Sequence, residues 1–245
     1  QQPERNAHLR VRGKFCRITR RQPHPAIPYC FKAAPGRLFC FFTSFFRRKC
    51  RFAVNPALVL FKTTPTSRRD LLLLLLLWCT AIALVNPMGD FPLNDDWAYG
   101  LNVRALAQEN RLFFSDWPAM TLIAHTLWGA LFCKVFGFSF TVLRFSTLLM
   151  GAFGMVGFYR LLAWAHLDRR MTLFFSMALL FNPFWLVLSN SFMTDVPFLA
   201  ILFWSVLYFL KALERPTTKY LALATLFAVW ACFIRQLGLI VPGVF

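Results

Sequence analysis

Two adjacent carboxylates, Asp95 and Asp96, are the residues best suited to chemistry in a largely apolar chain, and Trp97 and Tyr99 follow them closely. A positioned carboxylate can take a proton from a hydroxyl nucleophile, and the neighbouring rings offer flat faces to a sugar. Helix capping is the alternative, with Asn94 as N-cap and both acids near the positive end of the helix dipole. Capping explains one acid of the pair better than it explains two.

A third acid, Asp195, lies 100 residues after Asp95 and two residues before Pro197. Thr194 and Pro197 also suit the start of a capped helix, so capping is again an alternative. Arg235 lies within the last apolar stretch, and a guanidinium in a membrane needs an anionic partner. Asp195 or Asp95 would serve, and so would a phosphate, which a guanidinium binds with two parallel hydrogen bonds.

The composition indicates the class of protein that holds these residues. Of 245 residues, 58% are hydrophobic and only 15% are charged, yet the formal net charge is +17. Residues 1–69 hold 16 of the 27 Lys and Arg but one of the ten Asp and Glu. Residues 70–245 are nearly neutral and carry most of the apolar content. We predict an all-α polytopic integral membrane protein, which excludes a soluble globular enzyme and argues against a nucleic-acid partner.

The basic leader, residues 1–69, shows neither a 3.6-residue nor a two-residue apolar period, so it has no face to bury. The chain opens at Gln1 and its first methionine is Met88. We interpret the leader as disordered or non-native sequence, with an organellar transit peptide or a lipid-binding basic arm as alternatives. Its four cysteines lack the close spacing that structural zinc sites prefer.

Apolar stretches of the remaining chain predict about five transmembrane helices, at 71–87, 141–164, 171–189, 196–211 and 219–241. The first is short enough to be the core of a signal peptide instead. Glycines at three-residue spacing in the second, Gly151, Gly154 and Gly157, predict close helix packing.

One further apolar stretch, 117–136, is assigned to the outer surface rather than to a span. It carries His125 and Lys134 and starts with the capping sequence SDWP at 115–118. We therefore predict amphipathic helices in the first outer loop, this one and another from the acidic pair to about Asn110. The clearly basic turns then all face the cytoplasm, as the positive-inside rule requires, and the three aspartates fall together on the outer face.

In this arrangement the residues resemble the GT-C membrane glycosyltransferases, in particular protein O-mannosyltransferases and lipid A aminoarabinose transferases (glycosyltransferase family 39). DDWAY at 95–99 is similar to their Asp-Glu-x-x-Tyr type motif, and TDVP at 194–197 resembles their outer-loop Asp before a Pro. The resemblance covers about 70–245, the N-terminal part of such an enzyme. Asp96 replaces the more usual Glu, and Ala98 replaces an Arg.

The resemblance implies an incomplete GT-C bundle that transfers a sugar from a polyprenyl-phosphate donor to a lipid, glycan or protein acceptor. The site would lie at the periplasmic (outer) face of a bacterial inner membrane. Catalytic carboxylates are expected at Asp95, Asp96 and Asp195, with Asp95 as the base, and substrate contacts at Trp97, Tyr99 and Arg235. No cofactor is expected. The three aspartates could offer oxygen ligands to a divalent metal, but no histidine cluster supports one.

Two other functions are open. A transporter or flippase would also place acids and a buried arginine along a path, but the one candidate helix break, Asn182-Pro183, has no counterpart elsewhere in the sequence. A non-catalytic membrane fragment is the other, and we expect this 245-residue piece to be inactive alone.

Overall fold

The computed structural model describes residues 67–113, 115, 117 and 120–245. The interpretation of the leader therefore lies, for residues 1–66, outside the described residues. The described part is 78% helical and contains no strand, which confirms the all-α class. Its elements are α1 (Arg68–Val85), α2 (Asp96–Glu109), α3 (Ile123–Phe136), α4 (Phe140–Trp164), α5 (Arg169–Leu180), α6 (Pro183–Ser189), α7 (Asp195–Glu214), α8 (Thr218–Ile234), a 3₁₀ turn (Gln236–Leu239) and α9 (Ile240–Val244).

Two of the described helices, α4 and α7, are long and apolar enough to cross a membrane, and α5 with α6 would make a third span if the bent pair crosses as one. The pair bends by 54°. Asn182 causes the bend, because its side-chain oxygen accepts from the N–H groups of Phe184 and Trp185 and so starts a new helix. Pro183 then fills the first turn, where its missing N–H costs nothing. The residues of the predicted first span form α1, which begins with three charged residues and is not among the helices that meet both measures.

The last predicted span, 219–241, is not one helix. Helix α8 ends at Ile234, and Arg235 adopts an extended backbone conformation with φ −142° and ψ 138°. The chain then doubles back so tightly that Gly238 touches the backbone of α8, where a Cβ atom would come within 2.4 Å of the Cys232 nitrogen. Hydropathy predicted a continuous helix because apolar residues flank Arg235 on both sides. The helix instead ends before Arg235, whose side chain makes its contacts outside α8.

Helix α4 is the centre of the bundle. Its glycines admit large neighbours, as the three-residue spacing predicted: Gly151 lies against Trp78 of α1, and Gly157 against Trp204 of α7. Gly154 lies against the backbone of α7, since a Cβ atom there would lie 2.9 Å from the Ala200 Cα. Small residues let the two long helices pack backbone to backbone.

The two ends of the bundle differ in charge. At one end, which we call the basic end, the buried carboxylate of Asp70 binds Arg169 (Nε–Oδ2 2.8 Å) and accepts from the Tyr159 hydroxyl at 3.1 Å. This end carries the basic turns at 169–170 and 211–219. The opposite, acidic end carries the three aspartates, and there the buried Arg144 donates to backbone carbonyls of the 87–91 loop.

Helices α2 and α3 cover the acidic end. Helix α3 begins at Ile123, later than the predicted start at 117, and the backbone N–H of Ser115 donates instead to the Asn102 side chain of α2 (3.1 Å). At 14 residues, α3 is about 21 Å long and too short to span a bilayer alone. It turns Gly129 and Ala130 inward and leaves Leu127, Leu131 and Val135 exposed, as an interfacial helix should.

The orientation of the bundle can be tested by cysteine labelling. In a background without the native cysteines, we expect Arg170→Cys at the basic end to react with an impermeant maleimide only from the cytoplasmic side. We expect Arg111→Cys, beyond α2, to react only from outside, because basic turns stay in the cytoplasm. Both native side chains are exposed, so access is not limiting. Labelling of both cysteines from one side would contradict this topology.

Candidate active site

Asp96 is the acid of the first acidic motif that binds backbone groups. It is fully buried as the first residue of α2, and its Oδ1 accepts from the backbone N–H groups of Leu93 (2.9 Å) and Asn94 (3.0 Å). Its Oδ2 accepts from the N–H of Phe192 at 3.4 Å. The capping alternative named Asn94 as the N-cap, but Asp95 holds that position. One acid of the pair is therefore fully occupied by backbone groups, and it ties the first motif to the second.

Asp95 and Tyr99 are placed differently. Asp95 is partly exposed, whereas Tyr99 is buried one turn further along α2. Burial raises the pKa of the Tyr99 phenol; the carboxylate of Asp95 also raises it, the guanidinium of Arg235 opposes this, and Asp195 adds to the rise. The Tyr99 phenol is therefore close enough to both acidic motifs and to the arginine to be affected by their charges.

Asp195 and Arg235 form an ion pair, with Nη2 of the guanidinium 2.8 Å from Oδ1 of the carboxylate. The Nε of Arg235 also donates to the Thr194 hydroxyl at 2.8 Å. Of the candidate partners of Arg235 that the sequence left open, Asp195 is the one that binds it in the structure. The side chains of Arg235 and Asp195 are 18% and 31% exposed, so the pair can be reached from one side.

Residues 120–122 close the site from the direction of α8. The Thr121 hydroxyl donates to the Cys232 carbonyl at 2.8 Å, and the N–H of Leu122 donates to the Ile234 carbonyl at 3.4 Å. Carbonyl groups at a helix C-terminus have no partner within the helix, so these contacts satisfy two of them. Nothing in the sequence pattern pointed to this segment, because the contacts join positions more than 100 residues apart.

His125 belongs to the site, although its sequence context indicates only a polar interruption of an apolar stretch. It is fully buried, its ring stacks on Phe192 (centroids 4.0 Å apart), and it meets Tyr99 edge-on at 6.2 Å. Burial lowers the pKa of the imidazole to about 4; a hydrogen bond with the Phe192 carbonyl opposes the shift and Arg235 adds to it. The ring is therefore neutral at neutral pH.

Trp97 lies on the other side of α2 from Tyr99. It is 42% exposed and packs at 5.8 Å, ring centre to ring centre, against Trp117, which is also exposed. The two rings form an aromatic surface beside Asp95 rather than part of the buried cluster. Within the described ranges, no group of three or more His, Cys, Asp or Glu side chains is arranged to hold a metal ion. Asp96 and Asp195 are engaged by backbone amides and a guanidinium, respectively.

An all-α membrane chain with carboxylates and an arginine gathered at one end of its helices is the arrangement expected of a GT-C membrane glycosyltransferase. The comparison with protein families agrees. The chain belongs to the dolichyl-phosphate-mannose-protein mannosyltransferase family, whose sequence profile matches residues 120–243, about half of the chain. No curated protein and no solved structure matches it. The matched region includes His125, Asp195 and Arg235 and begins after the first acidic motif.

The buried neutral histidine predicts how stability depends on pH. Its pKa is about 4 in the folded chain and about 6.5 when exposed, so unfolding between these values takes up about one proton. The contribution of His125 to the free energy of unfolding should therefore be complete above pH 6.5. It should decrease as the pH drops toward 4, by up to about 1.4 kcal/mol per pH unit.

His125→Gln removes this titration. Chemical unfolding in detergent at a series of pH values should show a shallower loss for the variant than for the wild type across this window. Parallel curves for the two proteins would contradict a buried, neutral His125.

Proposed function

We propose that this chain carries the active site of a glycosyltransferase that moves a sugar from a polyprenyl-phosphate donor to the hydroxyl group of a lipid, glycan or protein acceptor. The observation that carries the proposal is that the first acidic motif and the Asp195–Arg235 ion pair lie together at the acidic end, joined by the hydrogen bond from the Phe192 N–H to Asp96, although 140 positions separate Asp95 from Arg235. The description of the family, which names dolichyl-phosphate-mannose and a protein, supports this class of donor and acceptor.

Asp95 is the general base in this proposal. Of the adjacent acids, Asp95 is partly open, whereas Asp96 is buried and its oxygens accept from three backbone N–H groups. The carboxylate of Asp95 takes the proton of the acceptor hydroxyl as that oxygen attacks the anomeric carbon. The bond from that carbon to the phosphate oxygen breaks, and its electron pair leaves with the lipid phosphate. Asp96 then positions the loop and takes no part in proton transfer, which revises the catalytic role expected for it.

Arg235 is the group that binds the phosphate. A guanidinium has five N–H donors, and the contacts to Thr194 and Asp195 use two of them. It can therefore bind a phosphate and stay paired with Asp195, which keeps it in place while the site is empty. Charge that develops on the leaving phosphate is stabilised by this fixed cation. Tyr99 and the exposed Trp97 would contact the sugar or the acceptor.

The place of the site suits a donor with a lipid tail. Helix α7 has 20 residues and is about 30 Å long, so its two ends lie about one hydrocarbon thickness apart. Asp195 at its start is then level with one membrane surface, where a lipid phosphate lies. With the basic turns in the cytoplasm, that surface is the outer one. We propose the periplasmic face of a bacterial inner membrane.

A lipid flippase is the second candidate, because the structure adds a helix break at Arg235 to the bend at Asn182. Broken helices beside charged side chains are common in transporters. Transfer of sugar to an acceptor distinguishes the two proposals, since a flippase moves the lipid across the membrane and leaves the sugar–phosphate bond intact.

Replacement of the proposed base tests the assignment. In membranes that contain the full-length protein and are supplied with radiolabelled polyprenyl-phosphate mannose, we expect Asp95→Asn to lower sugar transfer by about 10²–10⁴-fold, the usual contribution of a general base. Expression and thermal stability should be unchanged, because Asp95 makes no side-chain capping bond to α2.

Glu109→Gln is the matched control. Glu109 is an exposed acid at the other end of α2, paired with Arg111 at 3.3 Å, and its loss should leave transfer within about twofold of the wild type. Wild-type transfer in Asp95→Asn would remove Asp95 from the mechanism. Equal losses in both variants would show that charge on α2, rather than this carboxylate, is what matters.

A further inference from the structure

The backbone of Phe192 is held on both sides by side chains. Its N–H donates to Oδ2 of Asp96 at 3.4 Å, and its carbonyl oxygen lies 3.3 Å from Nε2 of His125. A carbonyl oxygen only accepts hydrogen bonds, so Nε2 carries the proton and donates it. The Phe192 side chain is itself fully buried and lies flat on the imidazole, at an interplanar angle of 19°. Two helices, α2 and α3, thus hold one residue from three directions.

The position of Phe192 gives this contact its importance. Phe192 is two residues before Thr194 and three before Asp195, the first residue of α7. Thr194 and Asp195 are the groups that bind Arg235. No helix holds residues 190–194, so their backbone needs partners outside the chain segment itself. Fixing the backbone of Phe192 therefore fixes where Thr194 and Asp195 meet the guanidinium.

We propose that His125 is a positioning residue of the active site: together with Asp96 it clamps the backbone of Phe192 and so holds Asp195 against Arg235. The consequence for sugar transfer rests on the proposed function, whereas the clamp itself is a property of the fold.

The chemistry of His125 supports this role. Its second ring nitrogen, Nδ1, is buried without a hydrogen-bond partner in the described part of the chain, which is unfavourable for a polar atom. An apolar side chain at this position would avoid the cost of the unpaired Nδ1. The histidine therefore contributes through its other nitrogen, Nε2, which makes the hydrogen bond. The pKa of about 4 keeps the ring neutral, and no second positive charge is placed near Arg235. Gly129, one turn further along α3, makes room for the Phe192 ring, since a Cβ atom there would come within 2.6 Å of it.

A series of variants at one position separates the donor from the ring. His125→Gln places an amide nitrogen close to the site of Nε2 and keeps the hydrogen bond. His125→Asn places its amide nearer the site of Nδ1 and cannot reach the carbonyl. His125→Phe keeps the stacked ring but loses the donor.

Trp128→Phe is the matched control. Trp128 lies on the same helix and also donates to a backbone carbonyl, that of Ser146 in α4, at 3.1 Å. Its loss removes an equivalent bond from α3 without touching Phe192.

Hydrogen exchange reads the clamp directly. With the protein in lipid nanodiscs at pH 7, mass spectrometry of the peptide 190–196 should show the Phe192 amide exchanging about tenfold or more faster in His125→Asn and His125→Phe than in the wild type. His125→Gln and Trp128→Phe should stay within about twofold of the wild type. A peptide from the middle of α7, residues 200–208, reports whether each variant is folded.

Two results would overturn the proposal. One is wild-type exchange at residues 190–196 in both His125→Asn and His125→Phe. The other is exchange in His125→Gln as fast as in His125→Asn, because then the donor would not matter. Should His125→Phe fail to fold, the comparison of Gln with Asn decides alone.

Sugar transfer from polyprenyl-phosphate mannose, measured with the variants in the full-length protein, separates this proposal from the proposed function. We expect kcat to fall about tenfold or more in His125→Asn with KM for the donor within about threefold, and to recover in His125→Gln. If the exchange pattern is as expected but the wild type transfers no sugar from any polyprenyl phosphate, the proposed function fails and the clamp stands. If the wild type transfers sugar and exchange is equal in all variants, the clamp fails.

Discussion

The contact between Arg235 and Asp195 is the interaction on which the acidic end depends. A largely buried guanidinium cannot be left without an anion, and the carboxylate at the start of α7 supplies it. To reach it, α8 has to stop at Ile234, and Arg235 takes an extended backbone conformation. The carbonyls exposed by that stop are then bound by the segment before α3, so one ion pair determines how three parts of the chain meet.

The ion pair lies in the region that matches the family profile, whereas the acidic pair at 95–96 precedes that region. A hydrogen bond joins the acidic pair to this region. Asp96 is turned inward and binds the backbone of Phe192, while Asp95, its neighbour, is left partly open. Successive residues at a helix start point in different directions, so one acid can hold the fold while the next faces the substrate. The proposed division of roles follows from burial, which the residue types alone could not show.

Much of the fold was predictable from the sequence because apolar length and glycine spacing are local signals. They predicted an all-α membrane protein, the position of α4 and α7, and close helix packing at Gly154. The need of a membrane arginine for an anion predicted Asp195 as one candidate partner of Arg235. The break in the last helix was not predictable, because a hydropathy window averages over Arg235 and the cause is a tertiary contact. The place of His125 in the candidate site was not predicted for the same reason: its partner, Phe192, is 67 positions away.

A double-mutant cycle on the ion pair tests the central claim most directly. The free energies of unfolding of Asp195→Asn, Arg235→Gln and the double variant, measured in one detergent or lipid nanodisc, give the coupling between the two side chains. The structure predicts a coupling of about 1–3 kcal/mol, as expected for partly buried charges in direct contact. Effects that add to within about 0.5 kcal/mol would show that the two residues do not meet, and the acidic end would have to be arranged differently.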